Sequence, residues 1–183
     1  MKKVLVIEDS QTFNQMLTQT IQDMTSFEVV QAYSYAEAEA ILNTQAADFF
    51  CAIIDINLPD AADGEAVDLV IQYSNIAPIV FTGQLSASLR EDFVQKRIAD
   101  YVLKDGGHNL NYIVSLIQRL YNNANIKVLV VDDSRTARNQ LRRLLETQRF
   151  QVLMASSGSE AIEQIDKHQD IRIALLDCYM DEM

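Results

Sequence analysis

The sequence predicts an α/β fold, a doubly wound parallel sheet of (βα)5 form, followed by a partial second copy of the same domain. Three observations carry that prediction. Short apolar runs rich in β-branched residues alternate with stretches of helical periodicity through residues 1–122, the pattern of βαβ units. The runs are continuous rather than alternating, as expected for strands covered by helices on both faces. The chain also repeats itself in three blocks. KVLVIEDSQTFNQML from Lys3 matches KVLVVDDSRTARNQL from Lys127 at an offset of 124, and FEVVQAYSYAEAEAIL matches FQVLMASSGSEAIEQI at 123. CAIIDINLPD (51–60) then matches IALLDCYMDE (173–182) at 122. Three blocks in one order, drifting by single residues, indicate a duplicated domain rather than a solenoid.

The elements follow in order. Lys3–Ile7 is the first strand. Ser10 is placed to cap a helix in which Phe13, Leu17, Ile21 and Met24 fall at helical spacing. Phe27–Ala32 reads as strand two and Tyr35–Thr44 as a helix with Ala38, Ile41 and Leu42 inward. Phe50–Asp55 is strand three, Glu65–Ser74 a helix and Ala77–Thr82 strand four. Leu85–Arg97 reads as helix, Asp100–Leu103 as strand five and His108–Asn122 as a last amphipathic helix. Right-handed crossovers then require a doubly wound sheet. The expected domains are a complete copy over 1–122, a linker over 123–126 and the first half of a second copy over 127–183.

Composition narrows the class of function. Of 183 residues, 49% are hydrophobic and 22% charged, an ordinary globular balance. No apolar run approaches the roughly 20 residues of a membrane span. Glu8 and Asp9 interrupt the opening apolar stretch, so it does not read as a secretory signal, and a cytoplasmic protein is expected. Cys51 and Cys178 sit in or beside apolar runs and are expected as buried, reduced thiols. The net charge is −11. Residues 1–125 hold 7 Lys/Arg against 16 Asp/Glu, a net of −9, and residues 126–183 hold 8 against 10, a net of −2. Such an acidic body argues against binding nucleic acid. It suits a basic partner or a divalent cation.

In a sheet of this kind functional groups gather beyond the carboxyl ends of the strands. The predicted strand ends are Glu8 and Asp9, Asp55, Thr82 and Lys104. Carboxylates crowded together raise one another's pKa unless a cation intervenes. An all-oxygen cluster fits a hard ion such as Mg²⁺. A lysine and a threonine beside it can hold the oxygens of a phosphoryl group placed on a carboxylate.

Glu8, Asp9, Asp55, Thr82 and Lys104 together resemble the receiver domain of two-component response regulators. The resemblance covers essentially all of residues 1–125, and residues 126–183 resemble the first half of the same domain. It implies a flavodoxin-like sheet of order 2-1-3-4-5. It implies that Asp55 accepts a phosphoryl group from a sensor histidine kinase or phosphotransfer protein. Asp9 and Asp55 would bind Mg²⁺, with Glu8 acting through water and Asn57 through its carbonyl. Thr82 and Lys104 would hold the phosphoryl oxygens, and Tyr101 would be the rotating aromatic coupled to the threonine. Asp132, Asp133 and Asp177 take the corresponding places in the second copy, which supplies no such threonine or lysine. The sequence departs from the family in three places. Asp105 and two glycines follow Lys104 where a proline is usual, the loop from Asp55 to Gly64 is about one residue longer, and Glu8 replaces the commoner aspartate.

Two other readings stand beside this one. Haloacid-dehalogenase-type phosphatases use a strand-end aspartate, Mg²⁺, threonine and lysine. Their nucleophile follows the first strand, however, with a second aspartate two residues on, where this chain has Asn57. A pseudo-receiver would be an interaction scaffold that never takes phosphate. His108 and His168 read as exposed turn histidines, and Arg142 and Arg143 as a solvated helix face. The motifs DYVLKDG and KVLVVDDSRTAR and the short linker resemble the amino-terminal part of regulators that carry a diguanylate cyclase, so an output domain outside this chain is expected. The sequence ends just after Asp177, and the expectation is a piece of a longer regulator. Its half-domain should be poorly ordered or bury its open edge, for instance in a homodimer.

Overall fold

The computed structural model describes residues 2–62, 64–83, 93, 96–105 and 108–180. The chain divides into two compact units, residues 1–120 and 121–183. The first contains β1 (Lys3–Ile7), α1 (Gln11–Met24), β2 (Glu28–Ala32), α2 (Tyr35–Gln45), a 3₁₀ turn (Ala46–Asp48) and β3 (Phe49–Ile54). After these come α3 (Glu65–Ile71), β4 (Ala77–Thr82), β5 (Asp100–Leu103) and α4 (His108–Asn123). The second holds β6 (Lys127–Val131), α5 (Arg135–Thr147), β7 (Gln151–Ala155), α6 (Gly158–Lys167) and β8 (Ile171–Leu176).

All strand pairs are parallel, in the orders β2-β1-β3-β4-β5 and β7-β6-β8. Successive residues of a strand face opposite sides, and the core of the first unit divides accordingly. Leu5, Ile7, Ala52, Ile54 and Val80 join α2 and α3 in one apolar layer. Val4, Val6, Cys51, Ile53, Ile79 and Phe81 join Leu17 and Ile21 of α1 and the buried face of α4 in the other. This two-sided burial explains why the strands read as unbroken apolar runs. In the second unit Leu129, Val131, Ala155 and Ala161 form a smaller core.

Helix starts follow their capping residues. Ser10, Ser34, Ser134 and Ser157 each accept an N–H from the first turn through Oγ, the arrangement that satisfies otherwise orphaned donors. Glu37 and Glu160, three residues after the caps, reach back to accept the amides of Tyr33 and Ser156, the residues just before them.

Several expectations are corrected. Strand two begins at Glu28, and strand three spans Phe49–Ile54, so Asp55 is the first residue beyond it. The third helix ends at Ile71, where the Tyr73 amide turns back to the Val70 carbonyl. Met24 is 51% exposed, and the buried stripe of α1 is Asn14, Leu17 and Ile21. Cys51 is buried but Cys178 is exposed, because it lies beyond an uncovered edge strand. His168 is the half-buried C-cap of α6 rather than an exposed turn residue. The predicted helix over 85–97 falls almost wholly outside the described residues, as do Gly106 and Gly107. Among the described residues no helix is long and apolar enough to cross a membrane.

Candidate functional site

Hydrogen bonding continues one residue past the strands and sets the acids side by side. The Glu8 amide donates to the Ala32 carbonyl (3.0 Å) and the Asp55 amide to that of Ile7 (2.8 Å). Glu8, Asp9 and Asp55 each offer a carboxylate oxygen, all within 4.8 Å of one another. Glu8 is 1% exposed and Asp55 5%, while Asp9 is open to solvent. The Lys104 amide donates to the Thr82 carbonyl (2.8 Å), which carries its side chain over the same rim. Its Nζ lies 2.6 Å from Glu8 Oε2 and 2.7 Å from Asp55 Oδ2.

Charge is unbalanced at this rim. Burial pushes the Glu8 carboxyl above its ordinary range; Lys104 pulls it back, and the Asp55 charge raises it further. One amino group faces three carboxyl groups, an excess of acidic over basic side chains. An all-oxygen donor set with that excess fits Mg²⁺, which takes one or two carboxylates. Glu8, Asp9, Asp55 and the Asn57 carbonyl are the residues that would hold it.

The loop after Asp55 is tied down. Asp55 Oδ1 accepts the Asn57 amide (3.2 Å), and Leu58 and Ala61 exchange backbone hydrogen bonds as buried residues. Gly64 closes the loop at φ +91, where its amide reaches the Ile56 carbonyl (3.1 Å). A side chain there would be strained. Asp60 accepts the amides of Tyr35 (2.8 Å) and Ala36 (3.0 Å) at the start of α2.

Thr82 is fully buried at the end of β4. Tyr101 is half-buried on β5, paired in register with Val80, and packs against the layer that contains α2 and α3. The structure thus brings together Glu8, Asp9, Asp55 and Lys104, with Thr82 at the neighbouring strand end.

The second unit repeats the first part of this construction. Asp132, Asp133 and Asp177 also place carboxylate oxygens within 4.8 Å of one another. The Asp132 amide donates to Ala155 (3.2 Å) and that of Asp177 to Val131 (2.9 Å). Asp177 Oδ1 accepts the Tyr179 amide (3.1 Å), as Asp55 does that of Asn57. No lysine or threonine completes this cluster among the described residues.

Four residues contribute to the site in ways the sequence reading does not include. Asn14, wholly buried, donates through Nδ2 to the Glu8 carbonyl (2.9 Å) and steadies the rim. Its signal was its spacing, since residues 14, 17 and 21 share one helical face. Asp60 carried only the weak signal of an acid after a proline. Phe13, read as core, packs partly buried against the layer that holds Phe81, and both rings also lie beside Lys104.

The profile of the response regulator receiver domain matches residues 4–115 and again residues 128–183. Two solved structures described as two-component system response regulator/GGDEF domain proteins are each 38% identical to this chain. Each match covers 100% of this chain and 73% of the other, with TM-scores of 0.87 and 0.86. The chemotaxis protein CheY4 of Vibrio cholerae is 28% identical over 65% of this chain and 98% of its own, with a TM-score of 0.56. No curated protein matches the chain.

Proposed function

We infer the function from the premise that this chain belongs to the response regulator receiver-domain family, with two tandem copies matched over residues 4–115 and 128–183. The chain takes part in two-component signalling, and its first copy is a phosphoacceptor switch centred on Asp55. One observation carries this reading. Asp55 lies in the sheet rim against two further carboxylates, with the Lys104 ammonium at 2.7 Å.

In the proposed reaction a lone pair of an Asp55 carboxylate oxygen forms a bond to phosphorus. The P–N bond to a donor imidazole breaks as it forms, and that nitrogen keeps the electron pair. The donor is a sensor histidine kinase or phosphotransfer protein. Mg²⁺, when bound by Glu8, Asp9, Asp55 and Asn57, would neutralise phosphoryl charge. Lys104, already hydrogen-bonded to Asp55, meets the incoming oxygens, and Thr82 supplies a hydroxyl from the next strand. Thr82 and Tyr101 then reposition, and the face made by β5 and α4 changes shape. A partner that distinguishes the two shapes reads the switch. The domains we assign are 1–122, a linker over 123–126 and 127–183. The relatives described as GGDEF proteins support a diguanylate cyclase as the output, outside this chain. The opening sequence supports a cytoplasmic exchange, and the uncovered β8 edge supports self-association through the second unit.

The test is an adduct measurement with acetyl phosphate, or beryllofluoride, and Mg²⁺. Intact mass should show one phosphoryl group per chain, mapped to Asp55. Sustained turnover of phosphate esters would instead identify a phosphatase. No adduct on the intact chain would identify an interaction scaffold.

A further inference from the structure

Lys104 has a second set of neighbours that its role as a counter-ion does not require. Its Nζ lies over the Phe13 ring, 5.1 Å from the centroid, and over the Phe81 ring at 5.4 Å. The two rings meet edge to face, with centroids 6.1 Å apart and planes at 79°. Phe13 comes from the first turn of α1, just after the Ser10 cap. Phe81 comes from β4, one residue before Thr82. The Lys104 side chain is only 10% exposed.

An ammonium carries three donors on a flexible four-carbon stem. One donor is hydrogen-bonded to Asp55 Oδ2, and Glu8 Oε2 lies in ion-pair contact at 2.6 Å. The negative faces of two aromatic rings lie on the remaining surface, within the roughly 6 Å at which a cation is attracted to a ring. Glu8 and Asp55 alone would let the stem pivot toward either acid, whereas the rings confine it. We infer that Phe13 and Phe81 are positioning residues, an aromatic clamp that holds the Lys104 ammonium toward the oxygens of a phosphoryl group carried on Asp55. The inference rests on the phosphoacceptor reading above. The clamp belongs to the first copy, since SQTFN (10–14) has become SRTAR (134–138) in the second, and Ala137 stands in the place of Phe13.

Packing alone would also place two phenylalanines here, so the test separates ring volume from ring charge. Phe13 is replaced in the 183-residue chain by phenylalanines bearing one, two and three ring fluorines, which keep the shape and drain the face of negative charge. Beryllofluoride affinity in Mg²⁺ should fall stepwise, by about fivefold over the series, corresponding to about 1 kcal/mol of cation–π attraction. The ε-methylene protons of Lys104 should be shifted upfield by the rings, and Phe13→Leu should return them toward ordinary lysine values with the amide spectrum otherwise retained. A flat fluorine series, or ordinary methylene shifts in the unmodified chain, overturns the clamp. If the unmodified chain forms no beryllofluoride adduct, the phosphoacceptor reading falls, and the clamp's purpose falls with it even where the methylene shift is present.

Discussion

Ile54 and Leu176 occupy the same place in two copies of one domain, yet Ile54 is fully buried and Leu176 is 63% exposed. The same holds for Cys51 and Ile53, both buried, against Ile173 and Leu175, both exposed. The local sequences CAIIDI and IALLDC are equally apolar. What differs is the neighbour. In the first unit β4 pairs with β3 and helices close both faces, while in the second β8 is an edge strand. Burial is therefore a property of the assembled sheet, and a strand written for two-sided cover keeps that composition whether or not it is covered.

The largest contrast between the copies should appear in phosphoryl transfer. Asp55→Asn should abolish the adduct formed from acetyl phosphate, while Asp177→Asn leaves its stoichiometry unchanged in intact-mass spectra. An adduct that survives Asp55→Asn would break the proposed division of labour. Core truncation gives the next contrast. Ile54→Ala should destabilise the first unit by about 3 kcal/mol, and Leu176→Ala the second by less than about 1 kcal/mol. Amide exchange followed separately in each unit measures both.

Where the copies agree, their responses should agree too. Ser34→Ala and Ser157→Ala each remove a serine N-cap and should each cost about 1 kcal/mol. Asp60 separates them under acid. The amides of Ala36 and then Tyr35 hold its carboxyl below the usual carboxylate range. A carboxyl lowered by folding contributes stability that is present above its unfolded value, about 3.9, and is lost as pH falls through the folded value. Asp60→Asn should therefore flatten part of the first unit's acid unfolding below about pH 4, read by far-UV circular dichroism. The smallest effect concerns Ile162, 63% exposed where the first copy has Glu39. Ile162→Glu should change stability by no more than about 0.5 kcal/mol in urea unfolding.

Much of the fold was legible because it rests on local patterns. Continuous β-branched runs marked the strands, serines marked the helix starts, and the repeat offsets located the second copy. The acids and Lys104 were legible as strand-end residues, since a doubly wound sheet brings such ends to one rim. What was not legible depends on partners distant in sequence. Met24 has the right spacing to be buried but lies at the helix end, beyond the layer. Asn14 takes an inward position for which apolar periodicity does not count a polar residue. Cys178 reads as buried until the strand before it proves to be an edge. Asp60 caps a helix that begins 25 residues earlier, a contact no local window contains.

Both sheets share an irregularity at their lower ends. Lys3 pairs with Phe49 and Val4 with Cys51, skipping Phe50; Lys127 pairs with Ile171 and Val128 with Ile173, skipping Arg172. Above that slip the pairing runs unbroken to Ile7 with Ile54, and to Val131 with Leu176. A one-residue error in register would send an acid to the opposite face. The skip, the same in both copies, lies at the end of the pairing farthest from the acids, like the unread end of a ruler. Differences in connector length, which move the repeat offset from 124 to 122, collect far from the rim. The graduations that matter, Glu8 beside Asp55 and Asp132 beside Asp177, stay aligned in both copies.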